Sequence, residues 1–388
     1  MKRYSHILTY ALIIASLSIG WKNSSPKNAT RTDFGKIYLT ETHLFVSELN
    51  KGINLYDITN LSSIHSIGYI NIEGNADMIV RGDILYADSY EDLWLFDISD
   101  RTHPVFIDSI PNVFKINRIQ NKIIANSGND YVGGMKGCFS GCGASATAPT
   151  SYDKGAANGG RETSGTSGNG QTGQGGSMAR FVINDKWLYC IDVSEMIVFD
   201  IADPRKPKLE GRVNIGFGIE TLFFYDYYLF VGSQTGMFIF DATDWRVPKK
   251  VSEFRHARAC DPVVVEGKRA YITLRSSNNC GIVQDAMHIV DITDVKKPSL
   301  ITSFLMEGPM GLSIDNGITY VCDKSFVKIV DVTNEKELKL LSSIALPNCY
   351  DVIYYERTLF IVGPMGIYIY KVGDTSNPIR VAHISNLG

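Results

Sequence analysis

The sequence contains none of the short motifs that identify the common enzyme classes. It has no nucleophile elbow, no Walker loop, no dinucleotide-binding fingerprint and no zinc-protease helix. Its glycine-rich segments have low complexity and no helical pattern follows them, so they do not predict a phosphate-binding loop. We therefore expect no catalytic residues, no metal and no cofactor, and the sequence favours a protein that is not an enzyme.

An excess of basic charge is missing as well. The chain has 38 Lys and Arg residues against 41 Asp and Glu, a formal net charge of −3. Nucleic-acid-binding surfaces are usually basic, so we expect no nucleic acid partner. Apolar runs of about 20 residues, the length of a transmembrane helix, are absent. We expect no transmembrane span in the mature chain, and the lack of long helical patterns argues against a parallel α/β fold.

The N-terminus has the pattern of an export signal. Lys2 and Arg3 precede an apolar run that ends in small residues. We predict a signal peptide at 1–20 and a flexible polar tether at 21–35. The alternative is an uncleaved apolar anchor. A bacterial lipoprotein would have Cys after such a cleavage site, but Trp21 stands there, so lipid anchoring stays open. The predicted location is the cell surface, the outer membrane or the periplasm.

One phrase, an apolar β-rich run that usually ends in Asp, recurs seven times. The steps between its marked positions are 40, 103, 41, 50, 40 and 40 residues. A period near 40 that is rich in β-formers predicts a β-propeller or a similar array. The marked positions are Asp57, Asp97, Asp200, Asp241, Asp291, Asp331 and Lys371.

Each repeat predicts four short strands. In the second repeat they fall at 77–81, 84–89, 93–98 and 105–110, separated by turn residues. Five repeats place Pro seven residues after the marked position, which fits the entry of an outer edge strand. The marked Asp residues are predicted to bond nearby backbone amides and form turns. Calcium binding at these turns is a weaker alternative.

The 103-residue step is the main irregularity. Residues 114–119 and 122–126 match the first two strands of the repeat, and 133–177 is rich in Gly, Ser, Thr and Asn. We predict an all-β propeller of four-stranded antiparallel blades over 36–388. Eight blades are favoured, one of them truncated, with seven as the alternative. The insert at 133–177 is predicted to be a surface loop.

The repeat strings are similar to those of a known family. Leu44-Phe45-Val46-Ser47, Leu85-Tyr86-Ala87-Asp88 and Ile289-Val290-Asp291-Ile292-Thr293 resemble the LVIVD-repeat family, predicted β-propellers of bacterial cell surfaces. The similarity covers nearly all of Gly35–Ile384. It implies an envelope location and carries no established activity.

Two groups of residues are candidate binding sites. Aligning the repeats places a mixed-charge group at the mouth of the central channel, which could bind a sugar, a peptide end or a cation. The alternative is a solvated rim of ion pairs. A basic cluster in the repeat that ends at Asp291 could receive an anion, or its Arg side chains could brace a loop. The first group is Asp77, Lys115, Arg180, Glu220, Asp261 and Asp351; the second is Arg255, His256, Arg258, Asp261 and Arg275.

The seven cysteines are an odd number, so at least one lacks a partner within the chain. We predict a disulfide between Cys260 and Cys280 in an exported chain. Cys138 and Cys142 could form a small disulfide or stay free, with zinc as a weaker alternative. Cys190 and Cys322 fit the core, and Cys349 is predicted to be a free thiol at the channel mouth.

These observations predict an exported, non-catalytic binding or scaffold propeller at the bacterial cell envelope. The expected partner is a protein or a glycan, and the chain is expected to be a monomer. The alternative is an exported lyase or hydrolase that uses carboxylates at the channel mouth, because a fold does not fix a function.

Overall fold

The chain forms a ring of antiparallel β-sheets, which is the predicted propeller. The structure is a computed structural model and describes residues 33–115, 173–256, 262–275 and 284–386. In this part of the chain there are seven sheets, each built on a four-stranded blade, one of which gains a fifth strand, and no helix. The described residues therefore include no helix that could cross a membrane. The predicted signal peptide and most of the predicted tether lie outside the described residues.

The first three blades are each formed by a contiguous stretch of chain. Blade 1 consists of β1 (Phe34–Thr40), β2 (His43–Glu48), β3 (Gly52–Asp57) and β4 (His65–Asn71). Blade 2 consists of β5 (Met78–Arg81), β6 (Ile84–Ser89), β7 (Asp92–Asp97) and β8 (Val105–Ile110). After the separate strand β9 (Gly173–Gly175), blade 3 consists of β10 (Phe181–Asn184), β11 (Trp187–Ile191), β12 (Glu195–Asp200) and β13 (Lys208–Asn214).

The remaining blades follow the same order. Blade 4 consists of β14 (Ile219–Tyr225), β15 (Tyr228–Ser233), β16 (Gly236–Asp241) and β17 (Lys249–Arg255). Blade 5 consists of β18 (Val263–Glu266), β19 (Arg269–Leu274), β20 (Ala286–Asp291) and β21 (Ser299–Leu305). Blade 6 consists of β22 (Pro309–Asp315), β23 (Ile318–Asp323), β24 (Phe326–Asp331) and β25 (Lys339–Ala345). Blade 7 consists of β26 (Asp351–Tyr355), β27 (Thr358–Gly363), β28 (Gly366–Lys371) and β29 (Ile379–Ser385).

The favoured count of eight blades is wrong, and the alternative of seven is correct. Blades 2 and 3 are direct neighbours, because β5 contacts β10. The Tyr86 hydroxyl of blade 2 donates to the Pro204 carbonyl of blade 3 at 2.7 Å. The rings of Phe114 and Phe181 stack with centroids 5.7 Å apart. These contacts leave no room for a truncated blade between them. The strand patterns predicted beyond Lys115 lie outside the described residues.

The turn chemistry of the repeat is confirmed. In six blades the marked Asp accepts the backbone N–H two residues later, as Asp331 does from Thr333 at 2.9 Å. In blade 7, Lys371 instead donates to the Thr358 hydroxyl at 3.0 Å. The five repeat prolines directly precede the outermost strands. A bulge then interrupts the pairing of the third and fourth strands in all seven blades, which makes the outer edge a poor template for another strand.

The core lies between neighbouring blades. Where blades 1 and 7 meet, Leu39, Leu44 and Val46 belong to the same buried cluster as Ile361 and Ile369. Each such side chain contributes roughly 1.5–3 kcal/mol by leaving water. This apolar packing closes the ring, because blades 1 and 7 exchange no strand.

Candidate functional site

The innermost strand of each blade lines a central channel. We call the end of the ring where these innermost strands begin the upper face and the opposite end the lower face. The residue at the upper start of the innermost strand is Lys36 in blade 1, Asp77 in blade 2 and Arg180 in blade 3. The remaining four blades have Thr221, Pro262, Gly311 and Asp351.

Lys36 is the member of this ring that the alignment of the internal repeats did not identify. Its Nζ lies 2.7 Å from Oδ2 of Asp77, which is 2% exposed. Burial lowers the pKa of Lys36, the nearby Asp77 carboxylate opposes this shift, and Arg180 adds to it. Lys36 could have been identified from the sequence. It precedes the marked Asp57 by one residue more than Asp77 precedes the marked Asp97, so an alignment that allows one extra residue in the first repeat includes it. Of the predicted mixed-charge group, the structure thus brings Asp77 and Arg180 together with Lys36, and these charges are paired with one another.

Arg180 joins the same network from blade 3. Its backbone N–H donates to Asp77 at 2.7 Å, and its guanidinium donates to the Ile191 carbonyl at 2.9 Å. The guanidinium also lies 3.8 Å from Oδ2 of Asp88. Burial raises the pKa of Asp88, and Arg180 together with two backbone N–H groups opposes that shift. These charges hold blades 1, 2 and 3 together, and a ligand would have to displace them.

Asp351 begins the innermost strand of blade 7, the neighbour of blade 1, and is 1% exposed. Its Oδ1 accepts the Ser177 hydroxyl at 3.1 Å and the Val352 N–H at 3.0 Å. Burial raises the pKa of Asp351 to about 7, partly opposed by these hydrogen bonds and by the charge of Lys36. A carboxyl group with such a pKa is a candidate acid or base. In this structure, however, protein atoms cover it.

The covering atoms belong to the segment 173–180, which we call the channel segment. Its strand β9 pairs with the inner edge of β1, with Tyr38 opposite Gly175. Beyond β9, the Ser177 hydroxyl accepts the Leu312 N–H of blade 6 at 2.9 Å. The Ala179 carbonyl accepts the Leu222 N–H of blade 4 at 2.8 Å. The channel segment thus runs through the centre of the ring and closes it.

Glycine is required where the channel segment passes Asp351. A Cβ added to Gly176 would lie far inside van der Waals contact with the Asp351 carboxylate. The predicted surface loop at 133–177 is therefore corrected for its last residues, which lie in the channel. Residues 133–172 lie outside the described residues. Low complexity hid this role, because the hydrophobic pattern that marks a core segment is absent when close approach selects glycine.

Lys115 and Glu220 do not join the buried ring. The Lys115 side chain is exposed, and its Nζ pairs with Oε1 of Glu195 at 2.5 Å. Its backbone N–H donates to the buried Asp192 at 2.7 Å. Glu220 accepts a hydrogen bond from the Gln234 side chain at 3.1 Å. Both residues lie on the upper face, but the structure separates them from the Asp77 and Asp351 carboxylates.

The predicted basic cluster is described only in part. Arg255 is exposed at the end of β17 and pairs with Glu253. His256 follows it, and its ring packs against Phe254 with centroids 6.4 Å apart. Arg275 is half-buried at the end of β19. Arg258, Asp261, Cys260 and Cys280 lie outside the described residues, so the anion site and the disulfide remain predictions.

Three cysteines are described, and all are free thiols. Cys190 and Cys322 are buried in strands, as expected from the sequence. Cys349 is also fully buried. The sequence predicted this thiol at the channel mouth instead. It belongs to the same buried apolar cluster as Cys322.

An open groove lies on the upper face between blades 1 and 2. Its volume is about 420 Å³, and its walls come from the end of β4 and from the turn between β6 and β7. Three of its seven lining residues are acidic, two are aromatic and none is basic. They are Asn71, Glu73, Ser89, Tyr90, Glu91, Asp92 and Trp94. The sequence analysis did not identify this groove, because its two walls come from different repeats.

The walls of the groove are held in place by hydrogen bonds and packing. The Ser89 hydroxyl donates to the Glu73 carbonyl at 2.8 Å. Oδ1 of Asp92 accepts the N–H of Asn112 at 3.0 Å. Trp94 packs edge-on against Phe106, with ring centroids 5.3 Å apart. The groove is therefore largely pre-formed, which lowers the entropy cost of binding.

The same face carries exposed apolar side chains. Phe217 stands between two glycines in the connection from blade 3 to blade 4 and is 72% exposed. Tyr90, at the rim of the groove, is 47% exposed. Leu305, Phe326 and Met365 are exposed at the upper ends of blades 5, 6 and 7. Exposed apolar side chains also stand at the lower starts of the outermost strands, as Val105, Leu209 and Ile379 do, so these groups add contact area to the upper face without distinguishing it.

Metal binding has little support in the described part of the chain. No group of three or more His, Cys, Asp or Glu residues there is arranged to hold a metal ion. At the repeat turns, the Asp oxygen that calcium would use already accepts a backbone N–H, as in Asp57 and Asp97. Hydrogen bonds from Ser99 have the largest effect on the Asp97 carboxyl, and a hydrogen bond from Arg205 adds to it; together they lower its pKa to about 2.

Comparisons with known proteins show the fold. The chain resembles the periplasmic gluconolactonase PpgL of Pseudomonas aeruginosa, with a TM-score of 0.58, 8% identity and coverage of 91% of this chain and 96% of that one. A functionally unknown protein of Desulfotomaculum acetoxidans gives a TM-score of 0.56 and 10% identity, covering 91% and 97%. BamB of Moraxella catarrhalis gives 0.52 and 8% identity, covering 84% and 81%. No family model and no curated protein matches the sequence.

Proposed function

We propose that this protein is an exported, non-catalytic binding module of the bacterial cell envelope, of the LVIVD-repeat type. It binds a protein partner on its upper face, and the groove between blades 1 and 2 receives a Lys or Arg side chain of that partner. The observation that carries the proposal is the contrast between the closed channel and the open, pre-formed groove.

The closed channel argues against the enzyme alternative. A lyase or hydrolase at the channel mouth would need accessible carboxylates. Asp77 and Asp351 are 2% and 1% exposed and are bonded to Lys36, Arg180 and Ser177. A substrate would have to remove the channel segment before it could reach either group.

The chemistry of the groove favours a cationic occupant. Ionised carboxylates are hydrogen-bond acceptors only, whereas ammonium and guanidinium groups are donors only. A cation over an exposed aromatic ring gains roughly 0.5–1 kcal/mol, and more when it is desolvated. Glu73 and Glu91 supply the charge, and Tyr90 and Trp94 supply the rings. Neighbouring apolar groups such as Phe217 would add contact area.

Export is supported by the N-terminal sequence pattern. The basic start, the short apolar run and the small residues before Trp21 are typical of a signal peptide. The P. aeruginosa gluconolactonase, which has this architecture, is described as periplasmic. The expected partner is therefore an envelope protein.

A peptide array tests the ligand class. The mature protein is applied to Lys- and Arg-containing peptides and to twins in which acetyl-lysine or citrulline removes the charge. We expect binding to the charged peptides alone, and weaker binding as salt rises, because the groove is solvent-exposed. Equal binding to the uncharged twins, or binding only to a glycan array, would overturn the cationic assignment.

Matched substitutions locate the binding surface. Tyr90→Ala should weaken peptide binding about tenfold or more, because it removes an aromatic wall of the groove. Tyr227→Ala is the control: Tyr227 is 53% exposed, but it lies in the β14–β15 turn on the lower face. Equal loss in both variants would exclude the groove as the binding site.

A further inference from the structure

Cys322 and Cys349 form a buried pair at the junction of blades 6 and 7. Cys322 lies in β23, opposite Val327 of β24. The Sγ of Cys349 lies 3.7 Å from the carbonyl oxygen of Phe326, the residue next to Val327. Cys349 is therefore held against the strand that pairs with Cys322. Both side chains are 0% exposed and belong to one apolar cluster, and Cys349 is close enough to Cys322 to raise the pKa of its thiol.

We propose that Cys322 and Cys349 close to a structural disulfide when the chain folds in an oxidising compartment. The bond would join the second strand of blade 6 to the residue that leads into blade 7. The inference rests on the proposed export for its oxidising setting and is independent of the ligand. It differs from the Cys260–Cys280 pair expected from sequence.

The reaction requires a disulfide donor, and oxidised glutathione is the probe. One cysteine thiolate attacks the donor, forms a mixed disulfide and releases one glutathione thiol. The second cysteine then attacks the mixed disulfide and releases the other. Two protein thiols are oxidised to one disulfide, and one glutathione disulfide is reduced to two thiols.

Burial of the thiols determines the stage of folding at which the disulfide can form. It raises the pKa of the Cys322 thiol well above its usual range, and the adjacent Cys349 adds to the shift. Because the thiolate is the attacking species, exchange in the folded ring should be slow. The bond should therefore form before blade 7 docks on blade 6, and it should then resist added reductant until the protein unfolds.

Peptide mapping tests the proposal directly. The protein is refolded with oxidised and reduced glutathione, unfolded in guanidinium with excess N-ethylmaleimide and no reductant, and digested with trypsin. Lys324 and Lys339 lie between the two cysteines, so they fall on different peptides. We expect one species that joins these peptides, lighter by two hydrogens than their sum, and alkylated Cys190. Alkylation of both Cys322 and Cys349, or linkage of either to another cysteine, would overturn the proposal.

A melting experiment distinguishes stabilisation by a disulfide from the packing of two reduced thiols. Oxidatively refolded wild type should melt about 5 °C higher than protein refolded in reductant, because a cross-link restricts the unfolded chain. Cys190→Ser should keep this redox difference. Cys349→Ala should reduce it by the share of the Cys322–Cys349 bond, since the predicted Cys260–Cys280 disulfide would still contribute. An undiminished redox difference in Cys349→Ala, or none in the wild type, would contradict the assignment. These readouts involve no ligand, so they stand apart from the peptide-binding test.

Discussion

Gly176 is the residue of the channel segment that passes directly over the Asp351 carboxylate. We predict that Gly176→Ala destabilises the fold by about 2–3 kcal/mol, because the added methyl group overlaps a carboxylate fixed by Ser177 and Val352. Gly211→Ala is the control, since a Cβ there meets nothing within 4 Å. It should change stability by less than about 0.5 kcal/mol. Urea unfolding measures both. Equal effects would mean that the channel segment is not packed as described.

Asp351 predicts an unusual pH dependence. Its pKa is about 7 in the folded protein, above the ordinary 3.8, so the native state binds its proton more tightly than the unfolded state. Its contribution to stability is therefore fully present below about pH 4 and is lost as pH rises towards and through 7. The slope is at most roughly 1.4 kcal/mol per pH unit.

Asp351→Asn tests this dependence, because the amide keeps an acceptor for Ser177 but does not titrate. Relative to the variant, the wild type should lose stability between about pH 4 and pH 7 in urea unfolding, and the difference should level off above pH 7. Asp88 and Lys36 titrate in both proteins, so their effects largely cancel in the difference. A difference that does not change with pH would show that Asp351 is not held in a buried site.

Single residues of the channel were only partly predictable from sequence. Asp77, Arg180 and Asp351 were found because the repeat register is regular through blades 2, 3 and 7. Lys36 was missed because blade 1 has one extra residue between its first strand and its marked position. Burial of the charges could not be predicted, since it depends on a glycine segment that lies far from its contacts in sequence.

The turn after the third strand is the most regular element of the fold. Asp331 accepts both the N–H and the hydroxyl of Thr333, at 2.9 and 2.6 Å. We predict that Asp331→Ala costs about 1 kcal/mol through these lost bonds, whereas Asp331→Asn, which keeps the acceptor oxygen, costs less. Denaturant unfolding at pH 7 compares them. If Asp331→Asn lowers the free energy of unfolding as much as Asp331→Ala does, then the carboxylate charge, and not the hydrogen bonds of the turn, stabilises the fold.

Elements were more predictable than single contacts, because their causes are local. Alternating apolar residues, the repeat prolines and the Asp turns each act within a few residues of sequence. The template strands of blade 2 were predicted at 77–81, 84–89, 93–98 and 105–110, each within a residue or so of β5 to β8. The strand β9 was not predicted, because three residues of Gly and Gln have no β signal and pair only where β1 offers an inner edge.

At the scale of the whole molecule, the blade number depended on contacts that the repeat pattern does not contain. Residues 114–126 resemble the start of a blade, yet blades 2 and 3 pack directly through Tyr86, Phe114 and Phe181. Ring closure is a global constraint: seven sheets fill the circle when blade 1 meets blade 7. The upper-face groove likewise arises from this assembly, since one wall comes from each of two repeats.

We propose that a partner binds the upper face while the channel stays closed. Hydrogen–deuterium exchange of the protein, with and without the tightest-binding Lys-containing array peptide, tests both parts at once. We expect slower exchange in residues 71–73 and 89–94 on binding, and unchanged, strongly protected amides in residues 176–180 and in β26. Peptide-induced change at 176–180 or in β26, with none at the groove, would contradict it and return the site to the channel.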